Sequence, residues 1–166
     1  MEAPRENYAY TLLLSPDRSQ PDALAVVDVQ PGSSTYCQVV HLLKMPYTGD
    51  EFHHFGWNAC SSSLSPMGGH AFLERRFLII PSIRSSRIYV IDTQPHPTKA
   101  RIHKVIEPDE LFRKTGYSRP HTVHCGPDGI YVSTLGGGGP DGTVGPPGIF
   151  ILDCESFEIL GRWEID

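Results

Sequence analysis

The stretch SRIYVIDTQPHPTKARIHKVIEP (residues 86–108) decides the fold. An alternating run of Ile, Tyr and Val ends at Asp92, a proline-rich turn follows, and a second alternating run returns. Alternation of β-branched and aromatic residues around such a turn is the signature of a β-hairpin. The pattern occurs twice more, as DALAVVDVQPGSSTYCQVVHLLKMP (residues 22–46) and GIFILDCESFEILGRWEID (residues 148–166). The closing aspartates, Asp28, Asp92 and Asp153, lie 64 and 61 residues apart.

Working outward, FLIIPSI (residues 77–83) corresponds to IYVSTLG (residues 130–136). Before these, HHFGW (residues 53–57) corresponds to HTVHC (residues 121–125), with His54 set against His121. Each unit is therefore four strands over about 60 residues, a spacing in the range of propeller blades. The leading piece supplies one more strand, YAYTLLL (residues 8–14), and the first hairpin. The expected fold is all-β: a partial β-propeller of about two and a half blades, forming a single domain over residues 1–166. The blade-like repeats fall at about 1–46, 47–108 and 117–166. A propeller closes with roughly 4–8 blades, so the remaining blades are expected from sequence outside this chain. A compact sandwich of the same strands is the alternative architecture. Helical periodicity is weak throughout, and EPDELFRKTG (residues 107–116) predicts one short turn of helix.

Composition narrows the partners. With 166 residues, 39% hydrophobic and 20% charged, the chain is a globular domain with a real core. The net charge is −5 and the basic residues are scattered, which argues against a nucleic-acid partner. No apolar run approaches the ~18–20 residues of a membrane span. The early run ending at Leu14 is too short for a signal core and lacks a basic lead-in, so a cytoplasmic location is expected. Cys37, Cys60, Cys125 and Cys154 show no Cys-x-x-Cys spacing, which argues against a zinc ribbon or a thioredoxin-type motif. All four are expected as reduced thiols, with Cys37 and Cys154 structural and Cys125 buried in a strand.

The chemistry concentrates at the first strand of each blade, which in a propeller lines the central channel. His53 and His54 occupy it in one unit, His121 and His124 in the next. Neutral imidazole is the commonest transition-metal ligand, so these four are candidate metal ligands from neighbouring blades. Hydrogen-bonded structural histidines are the alternative. Adjacent residues of a regular strand face opposite ways, so His53 and His54 share an ion only across an irregularity. Cys60 leaves the same segment for a serine-rich loop, where a nearby metal or imidazolium favours the thiolate. No role is assigned to His41, His70, His96 or His103. The glycine-rich LGGGGPDGTVGPPG (residues 135–148) lacks a GK[ST] and a following helix, so it reads as an inter-strand loop. RSSR (residues 84–87) reads as solvated arginines.

Taken together, GWNACSSS (residues 56–63), PSIRSSRIYVID (81–92), KVIEPDEL (104–111), HTVHC (121–125) and FILDCESFEILGRWE (150–164) closely resemble the selenium-binding protein family, whose members include methanethiol oxidases. The likeness runs from APREN (residues 3–7) to the last strand, in the same order. It implies a seven-bladed propeller several hundred residues long, of which this chain matches the N-terminal portion. It further implies a methanethiol oxidase that converts methanethiol, oxygen and water into formaldehyde, hydrogen sulfide and hydrogen peroxide, with copper as cofactor. By the same resemblance Cys60 is the selenium-binding and catalytic cysteine, and His53, His54, His121 and His124 match the family's histidine motifs. The partner is a small thiol substrate or a selenium species. A non-catalytic selenium carrier, a protein-interaction propeller and an inactive truncated fragment are the other readings. Many relatives carry a second cysteine three residues after the first; Ser63 stands there in this chain, which excludes a vicinal dithiol at that pair. The cysteine-containing head that some relatives carry before PRE is also absent here.

Overall fold

A computed structural model describes residues 5–60 and 73–164. Three antiparallel sheets follow one another along the chain. The first contains β1 (Tyr8–Leu13), β2 (Pro21–Asp28) and β3 (Val39–Thr48), hydrogen-bonded in that order. In the second, β4 (Gly56–Trp57), β5 (Phe77–Pro81), β6 (Ile88–Asp92) and β7 (Arg101–Ile106) lie side by side. The third repeats this with β8 (Pro120–Gly126), β9 (Gly129–Thr134), β10 (Gly148–Leu152) and β11 (Ile159–Arg162). Within each sheet successive strands are therefore neighbours, and the architecture is a partial all-β propeller. Ser63 and His70 lie outside the described residues.

The repeated aspartates have one physical explanation. In each unit the carboxylate accepts the backbone N–H two residues on: Gln30 to Asp28 at 2.8 Å, Gln94 to Asp92 at 3.0 Å, and Glu155 to Asp153 at 3.0 Å. An aspartate at the end of each sheet's next-to-last strand thus starts the turn into the last strand, as an Asx-turn does.

The sheets stack face to face, and the pleat of β6 shows how. Tyr89 and Ile91 point into a core shared with Leu24 and Met45 of the first sheet. Ile88 and Val90 point the other way, into a core with Val123, Val132 and Phe150 of the third. All five residues of β6 are buried, because a blade packed on both faces reads as a continuous apolar strand. Blade-on-blade burial, and not a closed single core, holds the fold together.

The segment 107–116 forms more helix than a single turn. Helix α1 (Pro108–Thr115) runs for eight residues. Pro108 sits in its first turn with Asp109 and Glu110, Arg113 and Lys114 in its last, and Gly116 at φ 73° closes it. Each of these placements suits the helix termini, and Leu111 anchors the helix to the core between the second and third sheets. No helix among the described residues is long and apolar enough to cross a membrane.

Candidate functional site

Strands β4 and β8 are the equivalent edges of their sheets, and the two edges touch. The Val123 N–H donates to the His54 carbonyl oxygen at 3.1 Å. A Cβ added at Gly56 would lie 2.7 Å from the Val123 carbonyl oxygen, so only glycine permits this approach. The two histidine segments are brought together by main-chain packing.

The alternation that would separate His53 from His54 is interrupted. Phe52 bridges to Ser82 and Gly56 pairs with Ile79, but residues 53–55 lie outside the ladder. The His53 N–H still donates to the Pro81 carbonyl, at 3.0 Å. On β8, Pro120 pairs with Thr134 and Thr122 with Ser133, leaving His121 as the extra residue of a bulge. These pairings set His53, not His54, at the position equivalent to His121. The register assumed from the sequence was off by one, because a bulge leaves no mark on apolar periodicity.

The result is a trio. Ring centroids lie 4.8 Å apart for His53 and His121, 4.6 Å for His54 and His121, and 6.0 Å for His53 and His54. One nitrogen from each ring lies within 4.8 Å of the others. His54 Nδ1 and His121 Nδ1 are 3.3 Å apart, and His121 Nδ1 is 2.9 Å from Thr122 Oγ1. Glu51 flanks the group, its Oε1 3.6 Å from His53 Nε2 and its other oxygen paired with Arg84. Burial lowers the His121 pKa below the usual imidazole value, and the positive charges of His53, His54 and Arg119 lower it further. A neutral His121 presents a nitrogen lone pair, the form that binds a metal. Beside the trio a cleft of about 310 Å³ is lined by Glu51, Ile83, Arg84, Arg119 and Gly137, Gly138 and Gly139.

His124 does not join the trio. Three residues further along β8, it lies roughly 10 Å from His121 at the usual strand rise. It groups instead with Cys60 and Cys125, whose ligand atoms lie within 4.8 Å of one another and of its own. Cys60 and Cys125 form a disulfide with Cα atoms 6.1 Å apart, within the ordinary range. This corrects the expectation of four reduced thiols: Cys37 and Cys154 alone are free. No spacing rule links cysteines 65 residues apart. The pair exists because the ends of β4 and β8 meet. Cys125 is buried as expected, and Cys60 is half-buried. Sequence reasoning also missed Glu51 and Thr122, which carry no motif and matter only through their distance to the histidines.

The other described histidines serve the scaffold. His41 Nε2 contacts the Ala100 carbonyl, His96 accepts from the Thr98 N–H at a 3-10 turn (Pro97–Lys99), and His103 packs on Phe77 and Phe157. Arg84 pairs with Glu51, and Arg87 with Glu107 and Asp50, so the RSSR arginines hold loops. The glycine-rich stretch joins β9 to β10.

Comparison with known proteins points one way. The chain is 47% identical over its whole length to selenium-binding protein 3 of Arabidopsis thaliana, and 45% identical over 99% of its length to a methanethiol oxidase of Danio rerio. It spans 34% and 35% of those proteins, about a third of their length. A crystal structure of a hypothetical selenium-binding protein from Sulfolobus tokodaii superposes with a TM-score of 0.88 and 55% identity, over 99% of this chain and 36% of that one. The family model of the 56 kDa selenium-binding protein (SBP56) matches residues 1–166, and the chain belongs to that family.

Proposed function

We propose that this chain is the N-terminal propeller portion of a methanethiol oxidase-type selenium-binding protein. In this reading it contributes part of a copper site, and the remaining blades of a seven-bladed ring complete it. The supporting observation is the convergence of His53, His54 and His121 from the inner edges of two neighbouring sheets. The donor set fits copper: three imidazoles, one of them with its pKa lowered chiefly by burial, with an open cleft alongside. When bound, copper would supply affinity for a soft sulfur substrate and electron exchange with oxygen. The chain's own residues hold and orient. Gly56 permits the approach of the two strands, Glu51 braces His53, and Thr122 braces His121. Cys60 is the contact for sulfur or selenium, and the protein works in the cytoplasm on methanethiol, oxygen and water.

The test is copper content per chain, on this chain and on a version extended to the length of its relatives, each with and without His53→Ala, His54→Ala and His121→Ala. Stoichiometric copper that the triple variant loses, together with methanethiol-dependent hydrogen peroxide in the extended protein, is the expected result. An extended protein that takes up no copper when supplied with it would sink the oxidase reading. A non-catalytic selenium carrier acting through Cys60 would then stand in its place, favoured by the position of Cys60 beside a second sulfur.

A further inference from the structure

We infer that Cys60, Cys125 and His124 form a thiol-gated site for a thiophilic closed-shell cation, Cu(I) or Zn(II), closed as a disulfide and open to metal once reduced. Two sulfurs and one imidazole nitrogen already lie within 4.8 Å of one another, so that once the S–S bond is broken one ion between them is within reach of all three. His124 is held in place by its Nδ1, 2.6 Å from the Cys125 carbonyl oxygen, which anchors the ring beside the sulfurs. Two thiolates and an imidazole select Zn(II) or Cu(I) over hard cations. Cys125 is buried, Cys60 half-buried and His124 exposed, so the three donors run from the edge of the core to the surface. That leaves a fourth position for water or a small thiol, the arrangement of a reactive metal site.

The gate is a balanced exchange. Two small thiols reduce the Cys60–Cys125 bond: its S–S bond breaks, two S–H bonds form, and the small thiols leave as their own disulfide. Metal entry then releases the two thiol protons to solvent. Disulfide and metal both tie the end of β4 to β8, so the two sheet edges stay joined in either state. The site shares Cys60 with the selenium reading but needs none of His53, His54 or His121.

The experiment reduces the chain with a phosphine, removes the reductant under nitrogen, and titrates Co(II) as a spectroscopic substitute for Zn(II). About one equivalent bound, with a thiolate-to-cobalt charge-transfer band that Zn(II) abolishes, is expected, and none in the oxidised chain. A parallel Cu(I) titration against a chromophoric chelator decides which of the two ions binds more tightly. Cys125→Ser abolishes the band. His124→Ala weakens binding at least about tenfold at an exposed position where the fold, checked by circular dichroism, is unaffected. The His53→Ala, His54→Ala and His121→Ala triple variant keeps the band, so failure of the oxidase reading and failure of this one are separable. A reduced chain without the band, a band that survives Cys125→Ser, His124→Ala binding equal to the parent, or equal binding by the oxidised chain would overturn the inference.

Discussion

Val123 and His54 are joined by a main-chain hydrogen bond of 3.1 Å that crosses from one sheet edge to the next. Edge strands carry unpaired backbone donors and acceptors, and here one of each is spent between blades. The bond lies between the two histidine segments, with His121 two residues before Val123. The distances within the trio are therefore set by how closely β4 and β8 approach.

Replacing Gly56 tests this directly. A methyl group there meets the Val123 carbonyl oxygen, a backbone atom that cannot swing aside. Gly56→Ala is expected to cost about 1–3 kcal/mol, the usual penalty of overpacking, and to separate His54 from His121. Urea unfolding and a copper titration at the trio are the measurements. An unchanged midpoint with unchanged affinity would show that the strand approach is not what positions the histidines.

The double-sided packing of β6 predicts that the two cores can be loosened separately. Ile91 belongs to the core with the first sheet, Phe150 to the core with the third, and both are fully buried. Ile91→Ala should cost about 2–5 kcal/mol and Phe150→Ala about 3–5 kcal/mol. Hydrogen exchange should speed up first in β1, β2 and β3 for the former, and in β8, β9, β10 and β11 for the latter. Uniform acceleration in both variants would mean that the sheets unfold as one unit.

These elements also show what could be read from sequence. Asp28, Asp92 and Asp153 marked the repeat because each performs the same local task, accepting an N–H two residues on. Local chemistry recurs in sequence, so it was legible. His53, His54 and His121 were legible as a group because all three fall where a blade's first strand begins, although the sequence set His54 rather than His53 against His121. The break at residues 53–55 and the bulge at His121 were not, since both depend on partner strands. The Cys60–Cys125 bond was invisible for the same reason: it joins two edges that meet only once the blades have stacked.

Asp92 makes the fold acid-sensitive. Its carboxylate is 1% exposed and accepts from Arg76 at 2.7 and 2.8 Å and from Arg101 at 2.5 Å. Chiefly through the Arg76 hydrogen bonds, these partners hold its pKa at about 2, below the ordinary value of 3.8. A depressed folded-state pKa contributes stability that is fully present above the unfolded value and is lost as pH falls through the folded one. The window is therefore about pH 4 to 2, and the contribution is on the order of 1–2 kcal/mol, reduced because the arginines are partly exposed. Asp92→Asn should flatten the fall in urea midpoint across that window. An identical slope in the variant would assign the acid sensitivity to other carboxylates.

The cysteines are expected to react in a fixed order. Cys37 is exposed, whereas Cys154 is buried, and its thiol is pushed up to about 11 chiefly by burial and also by Asp153 and Glu155. At pH 8 roughly one part in a thousand of Cys154 is thiolate, and the thiolate is the form that alkylates. A short iodoacetamide pulse without reductant should therefore label Cys37 alone. After phosphine reduction the half-buried Cys60 should follow, with Cys125 slower and Cys154 reacting only on unfolding. Peptide mass mapping separates these outcomes. Labelling of Cys60 in the unreduced chain would remove the closed state of the proposed thiol gate, because a disulfide sulfur cannot be alkylated. Protection of Cys60 that disappears on reduction, and returns when Zn(II) is added, would tie both states to the same pair of sulfurs.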